Sequence, residues 1–223
     1  MAEMIEAGIR PKSSLRTWIF NPFYYLAGGQ ALALGLAFIV AAGLMGSAAN
    51  AHLDGVIDIH AGHSGDFREI TGLEAPIWLF PVEGLVDWLS MGLILCGMGF
   101  LLSRTRFRLL DLFGTQALAR VPAILLVAVA FVPGFQTQAM KLATGNLVIV
   151  PMEMAAFVVG MFVTILAIIW MVTLMYWGFA TPCNVSGGKA IGAFVVALIL
   201  AEAFSKTAII GLMFSTQPGF RIW

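Results

Sequence analysis

The chain has 223 residues, of which 60% are hydrophobic and only 11% are charged, and its mean hydropathy is +0.94. A soluble domain is roughly 45–50% apolar and about 25% charged, so this composition excludes a single water-soluble globule and indicates an integral membrane protein. The 12 basic and 12 acidic side chains cancel, which leaves no net charge to attract nucleic acid. The two cysteines, Cys96 and Cys183, are too few for a disulfide framework, and we expect free thiols.

The first apolar run, residues 23–49, has no charged residue and is long enough to cross a bilayer. A basic tail, residues 1–22, precedes it. Because Ala49-Asn50-Ala51 follows the run, the alternative is a secretory signal peptide cleaved at that point. The apolar region of such a peptide has only about 7–15 residues, so the length of the run favours a membrane span.

Four more apolar runs follow along the chain, and together they predict an all-α integral membrane protein with five transmembrane helices. The third run is interrupted by Pro133-Gly134, where we expect a kink or an early end. The fourth run ends in the aromatic pair Tyr176-Trp177, which is typical of a membrane interface. The predicted segments are spans at 23–49, 81–103, 121–140, 153–179 and 190–214, an external loop at 50–76 and a short tail at 215–223.

The distribution of basic residues predicts that the N-terminus is cytoplasmic and the C-terminus is outside. Cytoplasmic segments carry an excess of lysine and arginine near the ends of the spans. With the N-terminus inside, the cytoplasmic side has eight such residues: Arg10, Lys12, Arg16, Arg104, Arg106, Arg108, Arg120 and Lys189. The opposite side has three: Arg68, Lys141 and Arg221.

All three histidines lie in the predicted external loop, among carboxylates. The pattern is His52-x-Asp54 followed by Asp58-x-His60-x-x-His63-x-x-Asp66. Imidazole and carboxylate groups are ligands for zinc and related ions, so Asp58, His60, His63 and Asp66 form a candidate metal site. The alternatives are a structured loop that is polar because water surrounds it, and a loop that senses pH through its histidines.

Glu202 and Lys206 lie in the middle of the fifth span, one helical turn apart. Unpaired charges there cost roughly 2.5–3.5 kcal/mol each, so we expect the two side chains to pair. The pair either relays protons or ions or locks the helix against a neighbour. A stripe of small residues beside it favours the second reading, and a similar stripe in the first span is a candidate partner surface. The stripes are Ala193, Ala197, Ala201 and Ser205, and Ala33, Ala37 and Ala41.

Glu83 and Asp87 are one turn apart near the start of the second span. Carboxylates in membrane segments often mark ion pathways, so they are candidates for a cation path from outside. In the alternative interpretation they complement the dipole at the helix N-terminus and stay in water. A third arrangement places them against the other helices of the bundle.

Several short motifs resemble one family of membrane proteins. They are Asn21-Pro22-Phe23 after the basic tail, Gly114-Thr115-Gln116-Ala117 before Pro122, and Tyr176-x-Gly178-Phe179 followed by Ser186-Gly187-x-Lys189-Ala190. Over residues 21–214, this pattern resembles the bacterial branch of the Ypt-interacting-protein (Yip) domain family. The resemblance implies a five-helix membrane fold of unassigned biochemical activity in a bacterial cytoplasmic membrane.

Eukaryotic members of that family act in the early secretory pathway and engage prenylated small GTPases through a long cytosolic N-terminal region. Their D-L-Y-G-P motif lies ahead of the first span, whereas the similar Asp111-Leu112-Phe113-Gly114-Thr115 lies after the second span here. The region ahead of the first span has only about twenty residues. We therefore do not expect small-GTPase binding.

We expect a non-enzymatic membrane scaffold or organiser, or a trafficking-type protein as the resemblance to the Yip family implies, that needs no cofactor. Its partners would be the lipid bilayer and other membrane proteins or further copies of the chain. No nucleophile or phosphate-binding loop indicates an enzyme. The alternative is a transporter or channel subunit for small solutes or metal ions. It would use Glu83, Asp87 and the histidines of the loop.

Overall fold

Five apolar helical segments, each long enough to cross a membrane, make up most of the described chain. The computed structural model describes residues 14–53, 55–56, 60–61, 75–103, 105–143 and 150–215. The five candidate spans in these ranges are Gly28–Ala49, Leu79–Leu102, Leu109–Val129, Pro151–Ala180 and Gly187–Phe214. The prediction of a mostly helical chain with five apolar helices of membrane-spanning length is confirmed.

Eight α-helices and two short strands account for the regular structure of the described residues. In chain order the helices are α1 (Leu15–Phe20), α2 (Gly28–Ala49), α3 (Leu79–Leu102), α4 (Leu109–Leu118), α5 (Ala123–Val129), α6 (Phe135–Ala143), α7 (Pro151–Ala180) and α8 (Gly187–Ser215). A turn of 3-10 helix, Pro22–Tyr24, follows α1. The strands β1 (Ala51–His52) and β2 (His60–Ala61) form an antiparallel pair.

The third candidate span begins twelve residues earlier than the sequence predicted. It is built from α4 and α5, and the bend between them lies at Pro122, which has no N–H to continue the helical hydrogen bonds. The bend places Arg120 inside the bundle, with only 7% of its surface exposed. The sequence had placed it with the basic residues on the cytoplasmic side. The expected break at Pro133-Gly134 is present, because α5 ends at Val129 and a new helix begins at Phe135.

Helix α2 is central to the bundle and packs against α3, α4 and α5. Its buried face is formed by Ala31, Gly35, Ile39, Ala42, Gly43 and Gly46. A Cβ atom on Gly35 would collide with the backbone of Ala117 and Leu118 in α4. The absence of a side chain at this position therefore allows α2 and α4 to approach closely.

The small-residue stripe predicted on the first span lies on the wrong face of the helix. Ala33, Ala37 and Ala41 are exposed, and α8 packs mainly against α3 rather than α2. On α8 itself, Ala197 and Ala201 of the predicted stripe are fully buried. The stripe on α8 is thus a packing face, but its partner is the second span.

Exchanging Gly35 for alanine should destabilise the bundle, because the added methyl group must push α2 away from α4. Overpacking of this kind costs roughly 1–3 kcal/mol. The matched control is Gly97→Ala on the exposed face of α3, where no atom lies within 4 Å of the added group and helix propensity favours alanine by up to about 1 kcal/mol. Thermal unfolding in detergent measures both. Equal melting temperatures for the two variants would contradict the close α2–α4 contact.

Candidate site: a buried charge cluster under a folded-back loop

The start of the predicted external loop folds back into the helical bundle. Asn50 caps the C-terminal end of α2. It adopts the left-handed conformation with φ of 53° and donates its N–H to the Gly46 carbonyl. The chain then reverses, and the following residues are buried: Ala51, His52, Leu53, Gly55 and Val56. We call these five residues the folded-back segment. The expectation of a loop surrounded by water is wrong for this part of it.

Glu83 of α3 holds the folded-back segment through two hydrogen bonds. Its Oε1 lies 2.8 Å from Nδ1 of His52, and its Oε2 accepts the backbone N–H of Leu53 at 3.1 Å. The His52 ring also stacks on Phe80, with ring centroids 4.3 Å apart. Glu83 is fully buried, so it does not stay in water as the alternative interpretation expected. A buried carboxylate requires such donors, because an unbonded charge inside a protein is very costly.

Two further charged side chains contact the same segment from other helices. Arg120, in the bend between α4 and α5, donates from Nη1 to the Val56 carbonyl at 2.7 Å. Glu202 of α8 lies against Gly55, where a Cβ atom would collide with its carboxylate. Arg120 is also attracted electrostatically to Asp87 and Glu202. Charged groups from three of the candidate spans therefore meet at one short loop segment.

Asp87 joins α3 to α8 within this cluster. Its carboxylate accepts a hydrogen bond from the hydroxyl of Ser205, and both side chains are buried. Asp87 and Arg120 line a common cavity of about 20 Å³. A cavity of this size holds about one water molecule, so it does not admit a larger solute.

Glu202 and Lys206 lie within ion-pair distance on α8. Lys206 Nζ is 3.2 Å from Glu202 Oε1, and the lysine side chain is 40% exposed against 21% for the glutamate. The pair lies at the edge of the cluster, with its glutamate toward the folded-back segment. Its position beside this segment could not be seen from the i,i+4 spacing alone.

Two of the motifs that carry the family resemblance, at residues 114–117 and 176–179, meet between α4 and α7. The hydroxyl of Thr115 donates to the Gly178 carbonyl at 2.6 Å, and the Gln116 amide donates to the Met175 carbonyl at 2.9 Å. In a continuous helix the residue at position 182 would bond the Gly178 carbonyl, but Pro182 has no N–H. Thr115 replaces that missing donor, so these motif residues stabilise the C-terminal end of α7.

The turn after α7 also contains one of the two cysteines. Cys96 and Cys183 are both free thiols in the structure. Burial raises the pKa of the Cys183 thiol to about 12. The thiol is therefore protonated at neutral pH and unreactive as a nucleophile or metal ligand.

Most of the candidate metal site lies outside the described residues. This applies to Asp58, His63 and Asp66. His60 is described only as part of β2, where its backbone pairs with that of His52. Within the part of the chain that the structure describes, no group of three or more histidine, cysteine, aspartate or glutamate residues is arranged to hold a metal ion.

Three members of the buried cluster were not assigned a site role from the sequence. In the sequence, His52 belongs to the histidines of the external loop, and Arg120 to the basic residues of the predicted cytoplasmic side. Ser205 belongs to the stripe of small residues on the fifth span. The signal for Arg120 was that residues 109–119 before it, with Asp111 as their one charge, and the apolar residues 121–132 after it can form one span. The contacts of His52 and Ser205 with carboxylates depend on tertiary structure.

Comparison with known proteins does not assign a family to the chain. No family model matches it, and no curated protein or solved structure does. The resemblance to Yip-domain proteins therefore stays a prediction. Function must be inferred from the residues of the cluster and their contacts.

Removing the carboxylate of Glu83 should lower the free energy of unfolding by about 3–5 kcal/mol, the usual cost of breaking a buried pair. Glu83→Ala leaves His52 and the Leu53 N–H without their acceptor. Glu83→Gln should cost less, because its amide oxygen still accepts from Leu53 and its amide group donates to the other tautomer of His52. Chemical unfolding in detergent, followed by tryptophan fluorescence, measures both variants.

The control for this prediction is Glu153→Ala, which removes a partly exposed ion pair with Lys141. Because its side chains are 21% and 27% exposed, losing this pair should cost less than losing a fully buried one. If Glu83→Ala destabilises the protein no more than Glu153→Ala, the bonds between Glu83 and the folded-back segment do not hold the loop in place.

Proposed function

We propose that this chain is a non-enzymatic membrane organiser, in which charged side chains inside the bundle fix the loop that connects the first two spans. One observation carries this proposal. Glu83, Arg120 and Glu202, from three candidate spans, all contact the folded-back segment. Glu83 and Arg120 form hydrogen bonds to a piece of the protein's own chain, and Glu202 lies against it, which is a structural use of intramembrane charge.

The size of the neighbouring cavity supports the same proposal. Conduction of a solute requires a route wide enough for it and lined by groups that bind it weakly. The cavity beside Asp87 and Arg120 has a volume of about 20 Å³, and Asp87 is bonded to Ser205 rather than turned toward an open channel. These features favour a rigid bundle over a solute pathway.

A transporter or channel subunit for small solutes or metal ions is the second candidate function. It is favoured by the complete burial of Glu83 and Asp87, one turn apart in a membrane-length helix. Intramembrane carboxylates in such positions commonly take part in proton or ion movement. In this case Asp87 would be the central group, because it borders the small cavity.

The organiser would act within a bacterial cytoplasmic membrane, as the resemblance to bacterial Yip-domain proteins implies. Its partners would be the lipid bilayer and either other membrane proteins or further copies of this chain. Helix α7 is the surface best placed for such contacts, since it is the least buried of the five candidate spans in the described residues. Large apolar side chains cover its exposed face, among them Phe162, Ile165 and Ile169.

Proteoliposomes and cross-linking together test this function. Vesicles of phosphatidylethanolamine and phosphatidylglycerol that contain a pH-sensitive dye should show the same proton leak with and without the protein. Asp87→Asn, whose amide oxygen still accepts from Ser205, should leave that leak unchanged. In cells, a photoreactive side chain at Val158, Phe162 or Ile165, all exposed on α7, should give protein adducts of discrete mass, whereas one at the buried Met171 should give none.

Two results would contradict the organiser proposal. The first is a wild-type leak well above that of protein-free vesicles which Asp87→Asn abolishes, because a carboxylate would then carry protons. The second is the absence of protein adducts at all three positions on α7. The first result would support the transporter candidate directly.

The organiser is proposed to have its N-terminus in the cytoplasm and its C-terminus outside. Since Arg120 lies inside the bundle, the comparison of basic residues becomes seven against three, and the bias still favours this orientation. Reporter fusions at each terminus and within residues 105–108 should place the N-terminus and this connector inside and the C-terminus outside. Both termini on the same side would contradict a five-span topology.

A further inference from the structure

A groove runs between α1 and the outer face of α7. Its apolar part has a volume of about 500 Å³ and is walled by Ile19 and Phe20 of α1 and by Leu166 and Trp170 of α7. The Trp170 indole N–H donates to the Ile19 carbonyl at 2.8 Å. This bond holds α1 against α7, so the packing of these two helices defines the shape of the groove.

The groove continues into a second chamber of about 420 Å³, and the two chambers share Phe20 and Thr173 as walls. The second chamber holds the polar side chains of the groove, among them Arg16, Asn21 and Tyr24, beside aromatic walls; we call it the polar chamber. None of the described residues that line it is acidic. The guanidinium of Arg16 therefore gives this chamber a positive charge beside an apolar groove.

One buried polar group in the second chamber also points to a ligand. The Asn21 side chain is 7% exposed, and its Oδ1 has no hydrogen-bond partner among the described residues. Tyr24, which is partly buried, also borders this chamber. A headgroup that carries both a phosphate and a hydroxyl would match these groups.

We propose that this groove binds one anionic phospholipid, with an acyl chain along the apolar part and the phosphate beside Arg16. Arginine pairs with phosphate through two parallel hydrogen bonds. The aromatic side chains of Tyr24 and Trp177 flank the polar chamber, as expected where chain and headgroup meet at a membrane interface. A free phosphate ion would use only the polar chamber, so the continuous apolar groove favours a lipid.

Native mass spectrometry of the protein in detergent, titrated separately with phosphatidylglycerol and phosphatidylcholine of equal chain length, tests this site. Phosphatidylglycerol should bind more tightly. Arg16→Gln should weaken that binding about fivefold, the effect of one basic residue near a lipid surface. It should weaken the binding of phosphatidylcholine less, because the choline cation offsets the charge of the phosphate. The matched control is Arg106→Gln, an exposed arginine at the same end of the bundle, which should change neither.

A second pair of variants tests the apolar half of the groove. Leu166→Trp should fill it and weaken the binding of both lipids, whereas Ile199→Trp, on the exposed face of α8, should not. Because all four substituted side chains are exposed, each variant should keep the wild-type melting temperature. Inorganic phosphate in excess should not displace phosphatidylglycerol.

Three results would overturn the lipid site. Equal weakening by Arg16→Gln and Arg106→Gln would mean that general surface charge attracts the lipid. Unchanged lipid binding by Leu166→Trp would mean that no acyl chain occupies the groove. Displacement of phosphatidylglycerol by inorganic phosphate would assign the polar chamber to a free anion.

Discussion

Glu83 is a carboxylate enclosed by apolar helices, and its bonds to His52 and Leu53 are the interaction on which the bundle depends. The loop backbone and the carboxylate each carry polar groups that cannot reach water in this position. Each unsatisfied group would cost about 1–3 kcal/mol, and more if charged. By bonding each other, the loop and the helix remove both costs, which explains why a polar loop is folded into an apolar bundle.

The other helices also supply hydrogen-bond donors to buried acceptors of this cluster. Arg120 supplies a donor to the Val56 carbonyl, and Ser205 supplies one to Asp87. The folded-back segment is therefore part of the core that joins α3, the α4–α5 bend and α8. A polar network of this kind specifies one arrangement of helices, because any displacement leaves charged groups without partners. The proposed organiser role is compatible with one fixed arrangement of helices, whereas a transporter would have to open a path through it.

The two ends of the bundle carry different groups of side chains. The loop end holds the charge cluster, whereas the opposite end holds α1, the aromatic side chains and the groove beside Arg16. Thr115 and Gln116 lie near this second end and bond the carbonyls of α7, which keeps the wall of the groove in place. The proposed lipid site and the proposed organiser role are thus separate features of one rigid scaffold, and each is tested without the other.

Length and hydropathy alone indicate a membrane protein, the five apolar helices and most of their ends, because both are local properties of the chain. The i,i+4 spacing of Glu202 and Lys206 likewise brings them together within one helix. Which face of each helix is buried depends on the tertiary structure. In water a helix marks its buried face by being apolar on one side, but here lipid and core are equally apolar. The face of α2 that carries Ala33 could therefore not be told from the buried face that carries Gly35, and the contacts of His52 and Arg120 with groups from distant segments were not encoded in any local pattern.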